Sequence, residues 1–238
     1  MEQPACIREF SRYTILSVFG TLGVSCYILA DTFFVSKGLG TNGLTALNLA
    51  IPVYNFIHGT GLMLGMGGAT KFSVCKSQGN QELVNKVFTN TIYLAVLFSI
   101  AFMLPGFFCA KQLALALGAD YAVLEMTVTY LRWLLLFSPA FILNDVLLCF
   151  VRNDANPQLS MCAMLIGSFS NIILDYIFIF PLNMGILGAV LATGLAPVIS
   201  LIVLSKHWIT KQNQFHLLRI KPSFILTGNI ISLGIPSF

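Results

Sequence analysis

The sequence predicts an all-α membrane protein, a six-helix transmembrane bundle with the start of a seventh helix, and three observations carry that expectation. Of 238 residues, 57% are hydrophobic and 9% are charged, against about 25% charged in an ordinary soluble domain. So few charges cannot cover the surface of a water-soluble fold. The apolar residues also fall in long runs, and a bilayer core about 30 Å thick needs about 20 of them per helix. Such runs recur at residues 13–35, 44–70, 87–108, 130–151, 159–180 and 186–205, and a further one starts at Ile230 and is cut off by the end of the sequence. Finally, the basic residues alternate between the two sides of these runs. Counting from an internal N-terminus, one side holds Arg8, Arg12, Lys71, Lys76, Lys86, Arg152, Lys206, Lys211, Arg219 and Lys221, and the other only Lys37 and Lys111, with Arg132 at or inside the outer end of the fourth run. This positive-inside bias places both termini in the cytoplasm. The net charge of +4 therefore orients the protein and implies no nucleic-acid partner.

Taken in order, the first run is too long for a cleaved secretory signal, holds Asp31 near its end and has no small-residue cleavage site after it, so it reads as a retained helix. A glycine-rich external loop is expected at Lys37–Gly43. The second run crowds Gly59, Gly61, Gly65, Gly67 and Gly68 at one end and carries Pro52 towards the other. Small residues let helices approach closely in lipid; a kinkable helix beside a moving cavity is the alternative. His58, on the same run, reads as a packing hydrogen-bonder. Polar residues at Lys71–Lys86 form an internal connection, with the third helix beginning near Gln81. Arg152–Pro157 reads as a tight internal turn, and Pro181–Gly185 as an uncharged external one. Residues 1–205 thus form one six-span unit, 206–228 a cytoplasmic linker with Trp208 at the interface, and 229–238 the opening of a seventh span. The six cysteines, without C-x-x-C spacing, read as small packing residues. No Walker motif, His/Glu metal cluster or Ser/His/Asp arrangement is present, so the expectation is a protein that is not an enzyme and carries no cofactor.

The informative residues are those that break the apolar pattern, because a carboxylate inside a membrane is costly by several kcal/mol. Asp31 lies near the outer end of the first span. Asn171 and Asp175 stack four residues apart on one face of the fifth, and Thr193 lies on the sixth. At 1.5 Å rise per residue, Asp31 is roughly 6 Å, Asp175 roughly 8 Å and Thr193 roughly 10 Å from the outer ends of their spans. Three helices therefore bring oxygen groups to one layer, suited to hard-ligand binding of Na+ or to a proton shared between carboxylates. Other readings are Asp31 reaching outward towards Lys37, Asn171 bonding between helices, and Thr193 bonding its own backbone. Tyr130 and Asn144 are candidate cavity-lining residues, Tyr130 being alternatively interfacial. Asn144 and Asp145 could instead bond Arg152 locally. Pro139 and Pro197 can kink their spans.

The runs Tyr27–Val35 (YILADTFFV), Gly61–Gly68 (GLMLGMGG), Arg152–Pro157 (RNDANP), Asn171–Phe180 (NIILDYIFIF) and Met184–Thr193 (MGILGAVLAT) resemble the multidrug and toxic compound extrusion (MATE) transporters, in order over essentially the whole chain. The resemblance implies one lobe of a twelve-helix secondary transporter of the plasma (inner) membrane, an antiporter that uses H+ or Na+ to expel amphipathic, cationic drugs. It implies a coupling site at Asp31, Asn171, Asp175 and Thr193, with Tyr130 at a cavity position. Where family members usually carry a proline in the first span, this sequence has Gly20 and Gly23. The implied partners are the small cationic substrate, membrane lipids and a C-terminal lobe or second copy. A lipid-linked saccharide flippase would call for a basic cavity, and a non-transporting membrane scaffold for an exposed lobe face.

Overall fold

A computed structural model describes residues 3–238; the side chains of residues 3–10, 12, 13, 17 and 24 lie outside the description, and with them the readings made for Cys6, Arg8 and Arg12. Described residues are helical or irregular throughout, in the order α1 (Gln3–Ser77), α2 (Gln81–Phe108), α3 (Ala110–Ala116), α4 (Leu124–Leu136), α5 (Ser138–Asn153), α6 (Pro157–Ile179), α7 (Ile186–Leu204), α8 (Lys206–Ile209) and α9 (Phe224–Gly234).

Helix α1 contains the first two apolar runs. A straight helix of 75 residues would be about 110 Å long, several times the bilayer core. It is broken at Gly40, whose φ of 67° and ψ of −159° suit a residue without Cβ. The chain doubles back there, since the hydroxyls of Tyr27 and Tyr54 hydrogen-bond to each other, whereas in one continuous helix these residues would stand about 40 Å apart. The loop expected at Lys37–Gly43 is thus a one-residue break with helix on both sides.

The fourth apolar run is also divided. Helices α4 and α5 meet at Phe137 with a bend of 47°. Pro139 sits in the first turn of α5, where its missing N–H is harmless, but it could not have continued a helix from α4. Counting the two arms of α1 (residues 3–39 and 41–77), α2, the bent α4–α5 pair, α6 and α7, the described residues provide the six expected crossings of a multi-pass membrane protein.

The tight turn before α6 has a local cause. Asn156 caps the helix by accepting from the Leu159 N–H at 3.2 Å, Pro157 occupies the first turn, and Ala155 takes a positive φ of 64° to make the reversal. Along α6, Ser160, Ala163, Gly167, Asn171, Asp175 and Ile179 are buried, the spacing of one helix face. That face meets α7 closely: a Cβ on Gly167 would stand 3.2 Å from the Ala196 carbonyl oxygen.

Glycines of the second run act as packing positions. A Cβ on Gly67 would meet the Ile230 carbonyl of α9 at 2.0 Å, and one on Gly68 would meet the Thr91 hydroxyl of α2 at 2.5 Å. Helix α9 starts at Phe224, earlier than the apolar run from Ile230 indicated. Before it, residues 211–223 run extended along α2, and Asn85 Oδ1, Thr89 Oγ1 and Asn90 Oδ1 accept from the backbone N–H groups of His216, Leu218 and Ser223. Phe215 is fully buried among Phe72, Phe88, Phe150 and Trp208. This segment is docked on the bundle along its length.

Candidate site at the Gly40 end of the bundle

The packing of α6 on α7 sets the first half of the site. Asn171 and Asp175 are fully buried, and Thr193 is 5% exposed on the facing helix. With its amide oriented to satisfy both ends, Asn171 donates to Asp175 Oδ2 at 3.1 Å and accepts from the Thr193 N–H at 3.3 Å. The Thr193 hydroxyl donates to the Ala189 carbonyl at 3.1 Å. Gly194 packs against the Phe137 ring, which brings the break in the fourth span beside Thr193. Tyr130, two turns earlier on α4, is 3% exposed and lines the same cavity as Thr193.

Asp31 supplies the second half from the first arm of α1. It is buried and forms no ion pair with Lys37, whose ammonium stands 5.7 Å from the Phe33 ring centroid. The carboxylates of Asp31 and Asp175 are near enough for their charges to act on one another, and Tyr130 lies within electrostatic reach of both. Asp31 Oδ1 and Asp175 Oδ1 are buried without any hydrogen-bond partner. Leaving such an atom unpaired costs about 1–3 kcal/mol, more for a charged group, so these two oxygens are the places where a bound cation would be compensated.

Beside them is a cavity of about 100 Å³, lined in part by Tyr27, Asp31, Tyr54, Asn55, Tyr130 and Thr193. Among the residues lining it there is no lysine or arginine. Asp31, Tyr130 and Thr193 face this space, and Asn171 and Asp175 sit behind Thr193. Asn144 lies outside the lining; it is buried on α5, beyond the bend, with Oδ1 unpartnered. Its neighbour Asp145 bonds His58 at 2.9 Å, and Arg152 instead donates to the Met164 sulfur. Sequence reasoning missed Tyr27, Tyr54 and Asn55. Tyr27 was within reach, since it precedes Asp31 by one turn on the same face; Tyr54 and Asn55 depend on the fold-back at Gly40. Among the described residues no group of His, Cys, Asp and Glu forms a metal cluster.

Comparison with known proteins agrees with this architecture. The multidrug export protein MepA of Staphylococcus saprophyticus is 26% identical over 241 aligned residues, which take in 100% of this chain and 53% of that protein. MepA of Staphylococcus aureus is 26% identical over 239 residues, with the same coverage of each chain. The chain therefore spans about half the length of the curated relatives it matches. Among solved structures, an outward-facing multidrug resistance MATE family transporter is similar with a TM-score of 0.87 at 27% identity, over 95% of this chain and 51% of that one. An inward-facing form gives 0.83 at 27% identity, over 89% and 48%. The MatE family model matches residues 17–177, from the first arm of α1 to the last turn of α6. The chain belongs to the MATE family and corresponds to its N-terminal lobe.

Proposed function

We propose that this chain is the ion-coupling lobe of a multidrug efflux transporter, in which Asp31 and Asp175 bind the coupling cation and the adjoining cavity takes an amphipathic organic cation. Both termini lie in the cytoplasm in this reading, with the Gly40 end facing outward. The observation that carries it is the pair of buried, mutually repelling carboxylates with one unpartnered oxygen each, beside a cavity free of basic side chains. Asn171 and Thr193 act as positioning groups, because the Asn171 amide is engaged with Asp175 and the Thr193 backbone. A proton is the favoured coupling ion. A proton needs only one carboxylate oxygen, whereas hard metal cations gather several oxygen ligands at once, and the Asn171 amide and Thr193 hydroxyl already have partners. The acidic cavity also favours a cationic substrate over the anionic headgroup of a saccharide flippase substrate. Antiport requires a second lobe to rock against this one, supplied by a C-terminal lobe or a second copy.

The reading predicts competition between proton and substrate. At low pH protons occupy the carboxylates and exclude the organic cation; as pH rises its affinity increases. The chain in lipid nanodiscs, titrated with tetraphenylphosphonium across pH 5 to 9 with and without sodium, tests this. Affinity that rises with pH and ignores sodium is the expected result. Competition by sodium would replace the proton with a metal cation, and affinity unchanged in both Asp31→Asn and Asp175→Asn would overturn the site.

A further inference from the structure

A second ionisable pair lies deeper in the bundle, away from the Gly40 end. His58, on the second arm of α1, faces Asp145 of α5 with Nδ1 2.9 Å from Oδ2. A carboxylate only accepts hydrogen bonds, so the tautomer that satisfies both groups carries its proton on Nδ1. This leaves Nε2 with its lone pair, and that atom is buried with no partner. The close approach of Asp145 depends on Gly61, three residues after His58: a Cβ there would stand 2.6 Å from Asp145 Oδ2. The Phe141 ring covers His58 with centroids 5.1 Å apart.

The pair packs against the site above it. The Tyr54 ring lies against His58, tilted by 53° with centroids 4.4 Å apart, the Tyr54 hydroxyl bonds the Tyr27 hydroxyl, and both tyrosines line the cavity that Asp31 faces. Tyr27 lies within electrostatic reach of Asp31, Asp175 and Asp145 alike, so it stands between the two acidic groups. Measured from the ends of the two apolar runs nearest Gly40, Asp31 is roughly 6 Å deep, Tyr27 roughly 12 Å, Tyr54 roughly 15 Å and His58 roughly 21 Å. The remaining ionisable neighbours are Tyr130 from α4, and Cys149 and Arg152 farther along α5. Helices α7 and α9 carry no ionisable side chain, and α2 has its own, Glu82, Lys86 and Tyr93, in its first four turns.

We infer that His58 and Asp145 form a second proton-exchange site, separate from the acidic cluster and packed against the tyrosine pair that lines its cavity. A hydronium ion that reaches the ring gives its proton to Nε2: its O–H bond breaks, an N–H bond forms, and a water and an imidazolium facing the Asp145 carboxylate remain. Departure to a water breaks that N–H bond, re-forms hydronium and restores the neutral ring. Histidine suits this work because imidazole ordinarily changes charge between pH 5 and 8.

The site stands whether or not Asp31 and Asp175 couple transport, and its test reads a different signal. The chain has three histidines, so nitrogen NMR of the histidine-labelled chain in nanodiscs gives three pairs of ring signals, Nδ1 and Nε2 of each, and His58→Gln removes one pair. Should that variant fail to fold, His207→Gln and His216→Gln identify the His58 signal by elimination. The expected result is that the His58 ring passes between singly and doubly protonated forms as the pH is varied, and that Asp145→Asn changes the pH at which it does so. A ring that keeps one protonation state throughout, or that converts at the same pH with Asp145→Asn, would overturn the inference.

Discussion

Asp154 and Asp175 are both buried, at opposite ends of the bundle, and differ in how their charge is met. Asp154 Oδ1 accepts from the Lys76 ammonium at 2.8 Å, while Oδ2 takes His207 Nε2 at 3.0 Å and the Gln214 N–H at 2.8 Å. Both oxygens are matched by fixed donors, and those donors come from α1, α8 and the docked segment after it. Asp175 has Asn171 on one oxygen and nothing on the other, and Asp31 faces its charge rather than a cation. The contrast teaches that burial alone does not mark a functional carboxylate in a membrane. A saturated carboxylate is a rivet, and one with an unpaired oxygen still has an acceptor to offer.

The comparison can be broken most easily at Asp154. Asp154→Ala strips the partner from Lys76 and His207 at once, and breaking a buried pair costs about 3–5 kcal/mol, so thermal unfolding in micelles should show the largest loss of this series. Phe215→Ala comes next: emptying the cage of Phe72, Phe88 and Phe150 should cost about 3 kcal/mol, and hydrogen exchange should report residues 211–223 released from α2. Gly67→Ala forces a methyl against the Ile230 carbonyl, an overpacking cost of about 1–3 kcal/mol, read as faster proteolysis at α9. Asp175→Asn should change the unfolding midpoint least, by about 1 kcal/mol or less, since its amide oxygen can still accept from Asn171. A midpoint loss at Asp175→Asn as large as at Asp154→Ala would erase the distinction between the two ends.

How much of this was legible in the sequence follows from the range of each interaction. Asp31, Asp175 and Thr193 could be placed in one layer because topology and helical rise alone set their depth, and Asn171 because four residues make one turn. The chain reversal was expected near Gly40, but its confinement to a single positive-φ residue was not, since glycines at 38, 40 and 43 look alike in sequence. The partnership of His58 with Asp145, 87 residues apart, depends on how α1 packs on α5, which no local pattern encodes. Likewise no local pattern shows that Asn85, Thr89 and Asn90 hold a segment more than 125 residues downstream. Gly20 and Gly23 act as packing positions that the sequence alone did not show: added Cβ atoms there would press on Met164 and Leu165 of α6.

The central claim is that the unpaired oxygens at the Gly40 end hold a proton that the substrate displaces. Calorimetry of tetraphenylphosphonium binding to the chain in nanodiscs, repeated in buffers of different ionisation enthalpy, counts the protons released per ligand bound. The account predicts net proton release in the unmodified chain and its loss in Asp175→Asn, with the fold intact. Binding without proton release in the unmodified chain, or the same release from the variant, would contradict it.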